Sequence, residues 1–196
     1  MYAGLVASTF RVGLALLIFA SGCATRDTAR SQDVSIGREI SLTLPMPPGY
    51  PREITFLQTV QGSYGAQRRT FQSLVSLAAD EVRVIMTLPG GPRIMTIRWS
   101  PQGVTTERTA LAPAELLGEN VLADLMITLW DPDAAGAALS DNATITEADG
   151  VRTIRSAGRD VITVRYADGA SDSERMVLVN HDFGYELVIS DRKSVV

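Results

Sequence analysis

Between residues 54 and 190 the chain is a succession of short stretches in which apolar and polar residues alternate, nearly all of them ending in turn-forming residues. A period of two belongs to strands with one buried face, and short Gly/Pro/Asp turns between them make neighbours antiparallel. Residues 54–60 form the first stretch, broken at Gly62 and Gly65. In 70–77, Phe71, Ser73, Val75 and Leu77 oppose Gln72, Leu74 and Ser76. Further strands are expected at 81–88, 93–99 and 104–108, separated by Pro89-Gly90-Gly91-Pro92 and Ser100-Pro101-Gln102-Gly103. The pattern resumes at 144–147, 151–155, 161–166, 174–179 and 185–190, with turns at Asp149-Gly150, Ala157-Gly158, Asp168-Gly169 and Phe183-Gly184.

One helical block interrupts the strands. Pro113 suits a first helical turn, and Leu117, Val121, Leu125 and Leu129 then recur every four residues with Leu122, Met126 and Trp130 beside them. That spacing predicts one broad apolar helix face. Asp131-Pro132 interrupts the helix, and 134–139 adds another turn. Strands, a central helix and more strands imply an α+β fold: a curved antiparallel sheet, an incomplete β-barrel, with a helical insertion on its concave face.

Ahead of this domain, Arg11 is followed by an apolar core over 12–20 and then by Ala20-Ser21-Gly22-Cys23. A positive flank, a short apolar core and a small-residue exit make a secretory signal peptide over 1–22. A cysteine just after the small residues is the pattern of a bacterial lipobox, so Cys23 is expected to be lipidated and to begin the mature chain. A retained transmembrane helix would need about 20 apolar residues and would place Arg11 in the bilayer at a cost of about 2.5–3.5 kcal/mol. Each buried acyl methylene contributes about 0.8 kcal/mol, so the several chains of a bacterial lipoprotein make a lasting anchor. Ala24 at the next position fits sorting to the outer membrane, facing the periplasm. Residues 23–39 are polar and charged, with Val34 and Ile36 their only large apolar residues, and read as a lipidated, flexible tether spanning about 20 Å. The proline-rich stretch 45–51 reads as an extended lead-in, and 40–196 as a single domain.

Composition narrows the function. Loss of residues 1–22 leaves 174 residues and takes the net charge from −4 to −5, which argues against nucleic acid as partner. Cys23 is the only cysteine and His181 the only histidine, so neither a disulfide nor a Cys/His zinc site is expected within the chain. No nucleophile elbow, phosphate loop or cofactor motif is present. His181 lies in a turn context with no identifiable nucleophile. Asp131 and Asp133 fit helix capping better than cation binding, and Arg68-Arg69 and the set Arg152, Arg155, Arg159 and Arg165 fit solvated strand faces better than headgroup contacts.

The run 122–130 (Leu-Ala-Asp-Leu-Met-Ile-Thr-Leu-Trp) with Pro132 and Leu139, the strand–turn–strand of 152–166, and Leu178-Val179-Asn180 with 184–189 together resemble a bacterial lipoprotein family of unknown function, the domain-of-unknown-function 3261 type. The likeness covers roughly residues 40–190; Asp131 separates Trp130 from Pro132 where the family often has Trp-Pro, and Met126 stands where glutamine is frequent. The resemblance implies the fold of lipoprotein-localisation carriers and receptors, in which helices lid an apolar cavity in a half-barrel. Under it, Phe71, Met86, Met95, Ile97, Trp99, Leu122, Leu125, Met126, Leu129 and Trp130 become candidate lining for an acyl or polyene chain. Methionines and aromatics adapt to irregular apolar shapes, and ligand sites are concave and mainly apolar. Plain packing of the helix on the sheet accounts for the same residues. The expectation is a lipid-anchored, non-enzymatic envelope protein that binds or transfers an apolar ligand such as a lipoprotein acyl chain or aryl-polyene lipid. The alternative is an interaction module that tethers an envelope complex through protein partners and has no cavity.

Overall fold

A computed structural model describes residues 25–29, 33–45, 53–167, 169 and 174–194. The signal peptide, Cys23, most of the proline-rich stretch and Asp168 lie outside them. Thirteen strands are formed among the described residues: β1 (Thr25–Ala29), β2 (Asp33–Ser35), β3 (Ser41–Thr43), β4 (Ile54–Tyr64), β5 (Gln67–Leu77), β6 (Val82–Thr87), β7 (Arg93–Ser100), β8 (Gly103–Arg108), β9 (Ala143–Ala148), β10 (Val151–Ser156), β11 (Arg159–Tyr166), β12 (Met176–Asn180) and β13 (Tyr185–Ser194). Helices α1 (Gly118–Leu129) and α2 (Pro132–Ala137) separate β8 from β9.

Eleven strands make one antiparallel sheet in the order β1-β8-β7-β6-β5-β4-β13-β12-β11-β10-β9. It is two meanders, β4–β8 and β9–β13, joined where β4 pairs with β13, and its edges β1 and β9 do not meet. The architecture is the open, curved antiparallel sheet with a helical insertion that the strand pattern predicts. This order explains the helices. The first meander ends near one edge of the sheet and the second begins at the other, so the connection must cross the whole sheet. Only an amphipathic segment can do so while burying the apolar face beneath it.

The crossing starts later than its proline suggests. Pro113 precedes α1 by several residues because Arg108 donates to the carbonyls of Ala112 and Pro113, holding 109–117 in turns. Gly118 then packs on Thr106 so closely that any β-carbon there would overlap the threonine side chain. At its far end α1 is clasped by side chains of the second meander. Arg152 donates to the Ile127 carbonyl at 2.6 Å, and the Tyr166 hydroxyl to the Thr128 carbonyl at 3.0 Å. Carbonyls that a helix end would otherwise leave bare are thus satisfied, with a cation at the negative pole of the helix dipole. Arg152 is 1 % exposed; its Nε and Nη2 reach Glu147 at 2.7 and 2.6 Å, and its guanidinium lies 5.6 Å from the Tyr166 ring centre. The solvated-face reading of Arg152 is therefore corrected, whereas Arg155 and Arg159 pair at the surface with Asp160 and Asp182.

The structure also corrects part of the tether. Residues 33–43 form a hairpin, β2–β3, that lies in the fold. Val34 and Ile36 are 4 % and 3 % exposed, and Ile40, Leu42 and Leu44 are buried with them. Asn180, itself buried, donates to the Ile36 carbonyl at 2.9 Å, and Asp182 accepts from the Arg38 backbone N–H at 3.0 Å. β3 continues onto the end of α2 through backbone bonds at Ala138 and Ser140. Burial of the two large apolar side chains outweighs the charge around them. The backbone of β1 pairs with β8 in addition.

Candidate functional site

Where the two meanders meet, α1 does not fill the space above the sheet. A recess of about 90 Å³ remains there. Its floor is Gln58, Val60 and Gly62 of β4, Phe71, Ser73 and Val75 of β5, Val84 and Met86 of β6, and Leu187 and Ile189 of β13. The roof is Leu116, Val121, Asp124, Leu125 and Thr128 of the crossing segment. The four of these within α1, Val121, Asp124, Leu125 and Thr128, share a helix face because residues three and four apart lie above one another. Register assembles the floor: Val60 faces Phe71, Gln58 faces Ser73 and Gly62 faces Leu187 across the β4–β5 and β4–β13 ladders.

The recess takes three of the sequence-predicted lining residues, Phe71, Met86 and Leu125, and leaves seven elsewhere. Met95, Ile97 and Trp99 lie on β7, toward the β1 edge, buried to 1 %, 0 % and 1 % in packed core. Leu122 and Met126 sit about a quarter-turn round α1 from the recess and are buried in that core. Leu129 and Trp130 pack half-buried against it, Trp130 stacking on Trp99 with ring centres 5.9 Å apart. Conversely, sequence reasoning passed over Gln58, Ser73 and Asp124. Their signal was available: each is a polar residue where the strand or helix period calls for an apolar one.

Asp124 is the only ionisable group among the lining residues. One carboxylate oxygen accepts from the Tyr185 hydroxyl at 2.8 Å. Burial pushes the carboxyl up to about 7, against which the tyrosine bond works only in part. Burial first, then the charge and hydrogen bond of Asp124, push the Tyr185 hydroxyl far above its ordinary value. Tyr185 is also within 3.4 Å of the Asn180 side-chain amide, which links the recess wall to the β2–β3 hairpin. Ser73 has no histidine beside it: His181 lies in the turn 181–184, with its ring 3.2 Å from the Thr163 hydroxyl. Asp131 caps α2 by accepting from the Asp133 backbone N–H. What this arrangement can do is bury an apolar chain and offer hydrogen bonds to a polar group attached to it.

Residues 55–192 match a family described as a protein of unknown function, DUF3261. The chain belongs to this family. No curated protein matches the DUF3261 chain. Among solved structures, a LolA superfamily protein from Nitrosomonas europaea is similar at 13 % identity, covering 74 % of this chain and 87 % of its own, with a TM-score of 0.41. At that score the likeness assigns neither ligand nor site. Among the described residues of this DUF3261 member, no helix is long and apolar enough to cross a membrane.

The Asp124 environment has a sign that can be measured. A carboxyl whose folded value lies near 7, above its value of about 4 when unfolded, keeps its proton in the folded state after the unfolded state has lost it. Stability therefore falls as pH rises from about 4 to 7 and is level above that. The loss is at most about 4 kcal/mol, and less to the extent that water enters the recess. Thermal melts should show a lower midpoint at pH 8 than at pH 5, and Asp124→Asn should reduce that difference. An unchanged difference in the variant would contradict the assignment.

Proposed function

We propose that this protein is a lipid-anchored, non-enzymatic component of the bacterial cell envelope that binds or hands over an apolar ligand between α1 and the centre of its sheet. The observation that carries the reading is the recess itself. Its walls are mainly apolar side chains, and it lies where a packed core would be expected to be solid. A pure interaction module has no use for such a gap, which favours the ligand reading over that alternative.

The space of about 90 Å³ lies below the range of about 300–1,000 Å³ typical of small-molecule sites. A long chain therefore enters only if the roof lifts. The front of the roof suits that movement: Leu111 and Leu117 are 57 % and 48 % exposed, and the first turn of α1 has no side-chain cap. The clasped C-terminal end of α1 would act as the fixed side. Binding would draw on apolar burial at roughly 25 cal/mol per Å².

Gly62 offers a direct test. A β-carbon added there meets only Leu187, at 3.4 Å, so a larger side chain is accommodated by entering the recess. Gly62→Leu should leave the melting temperature within a few degrees and weaken binding of the apolar dye 1-N-phenylnaphthylamine about tenfold or more, a change of roughly 1.4 kcal/mol. Equal binding by both proteins would place the ligand elsewhere.

The location rests on 1–23 and is tested separately. Cys23→Ala should abolish incorporation of labelled fatty acid and retention in the membrane fraction. Full retention of the variant would overturn the lipid anchor.

A further inference from the structure

Three polar side chains that line the recess, Gln58, Ser73 and Asp124, keep hydrogen-bonding capacity free toward it. Gln58 and Ser73 stand directly opposite each other in the β4–β5 ladder, 6 % and 3 % exposed. They interrupt two otherwise apolar inward rows, Phe56–Val60 and Phe71–Val75–Leu77. Among the described residues neither side chain has a hydrogen-bond partner. On the roof Asp124 spends one oxygen on Tyr185, and its Oδ2 has no hydrogen-bond partner among the described residues.

Polar side chains at two inward positions give up apolar packing, which apolar residues at 58 and 73 would have kept. Polar groups from both walls converging on one apolar space are the arrangement of a ligand site, where a few placed polar atoms fix orientation. We infer that the recess accepts a neutral amphiphile, burying an uncharged donor–acceptor group of the ligand, a hydroxyl or carboxamide, between Gln58–Ser73 and Asp124. The inference rests on the proposed ligand site and adds its chemistry. Gln58 and Ser73 each donate and accept, so they match a group that does both. An anionic headgroup would be buried beside Asp124 with no cation in the lining. A cationic one would lose its hydration on entering a mainly apolar recess whose single carboxyl is only about half ionised at pH 7.

The test uses the full chain, purified as expressed and held in phosphatidylcholine nanodiscs. It is photolabelled with diazirine-bearing dodecyl probes that differ only in the head: alcohol, primary amide, carboxylate or trimethylammonium. Labelling of peptides carrying β4–β5 and α1 should be about tenfold higher for the alcohol and amide than for the charged probes. Gln58→Leu with Ser73→Val should bring that ratio below about threefold while labelling itself persists. Equal labelling by neutral and charged heads in the wild-type chain overturns the inference and leaves the ligand site standing, and it needs no variant to fold. A preference that survives in the folded double variant overturns it too. Absence of labelling at these peptides by every probe overturns the site as well.

Discussion

The clasp on the end of α1 is the interaction on which the rest of the site depends. Arg152 and Tyr166 reach from the second meander to the Ile127 and Thr128 carbonyls and so fix where the crossing segment lands. Removing one partner of such a buried charged set is strongly destabilising because it strands the other. With that end held, and Gly118 resting on Thr106 while the roof is down, the helix lies across the sheet along one path. That path turns Val121, Asp124, Leu125 and Thr128 toward the junction of the meanders.

The recess follows from topology and side-chain size. On the second-meander side the β2–β3 hairpin fills the space beside α1, with Gly37 close to Val161. On the first-meander side Met95, Ile97 and Trp99 fill it. Between them Gly62 contributes no side chain and Ser73 a short one, so the middle is left underfilled. Underfilling costs stability, and an amide and a hydroxyl at two inward positions give up further apolar packing. Natural chains accept such departures from consistent packing mostly at functional sites. Under the proposed function the gap and its polar groups have one explanation, a site that a ligand would stabilise on entering.

Much of this was legible in the residues. Strict alternation exposed the strands, and turn pairs placed the hairpins, because a one-residue slip would turn every buried side chain outward. The helix was visible from its four-residue repeat. Its start was not, since no periodicity shows that the Arg108 side chain folds forward onto the carbonyls of Ala112 and Pro113 and holds Pro113 outside the helix. Val34 and Ile36 form too short a pattern to outweigh the charges around them, and it is burial in the fold that accompanies the strand at 33–35 and holds Ile36 beside it. For the site, sequence could say that α1 has an apolar face and could not say which part of it would lack a partner. The most apolar positions, Leu122 and Met126, found one and became core. The polar interruptions Gln58, Ser73 and Asp124 were the stronger signal, since a buried polar residue is more informative than another apolar one.

The central claim is that an apolar ligand lodges between α1 and the middle of the sheet. Methionine methyl NMR tests it most directly, because Met86 lines the recess while Met95 and Met176 are buried away from it. On titration with 1-decanol, the Met86 methyl resonance should move progressively to saturation, with Met95 and Met176 shifting far less. A Met86 resonance that stays in place while others move, or a spectrum that does not respond, would contradict the account.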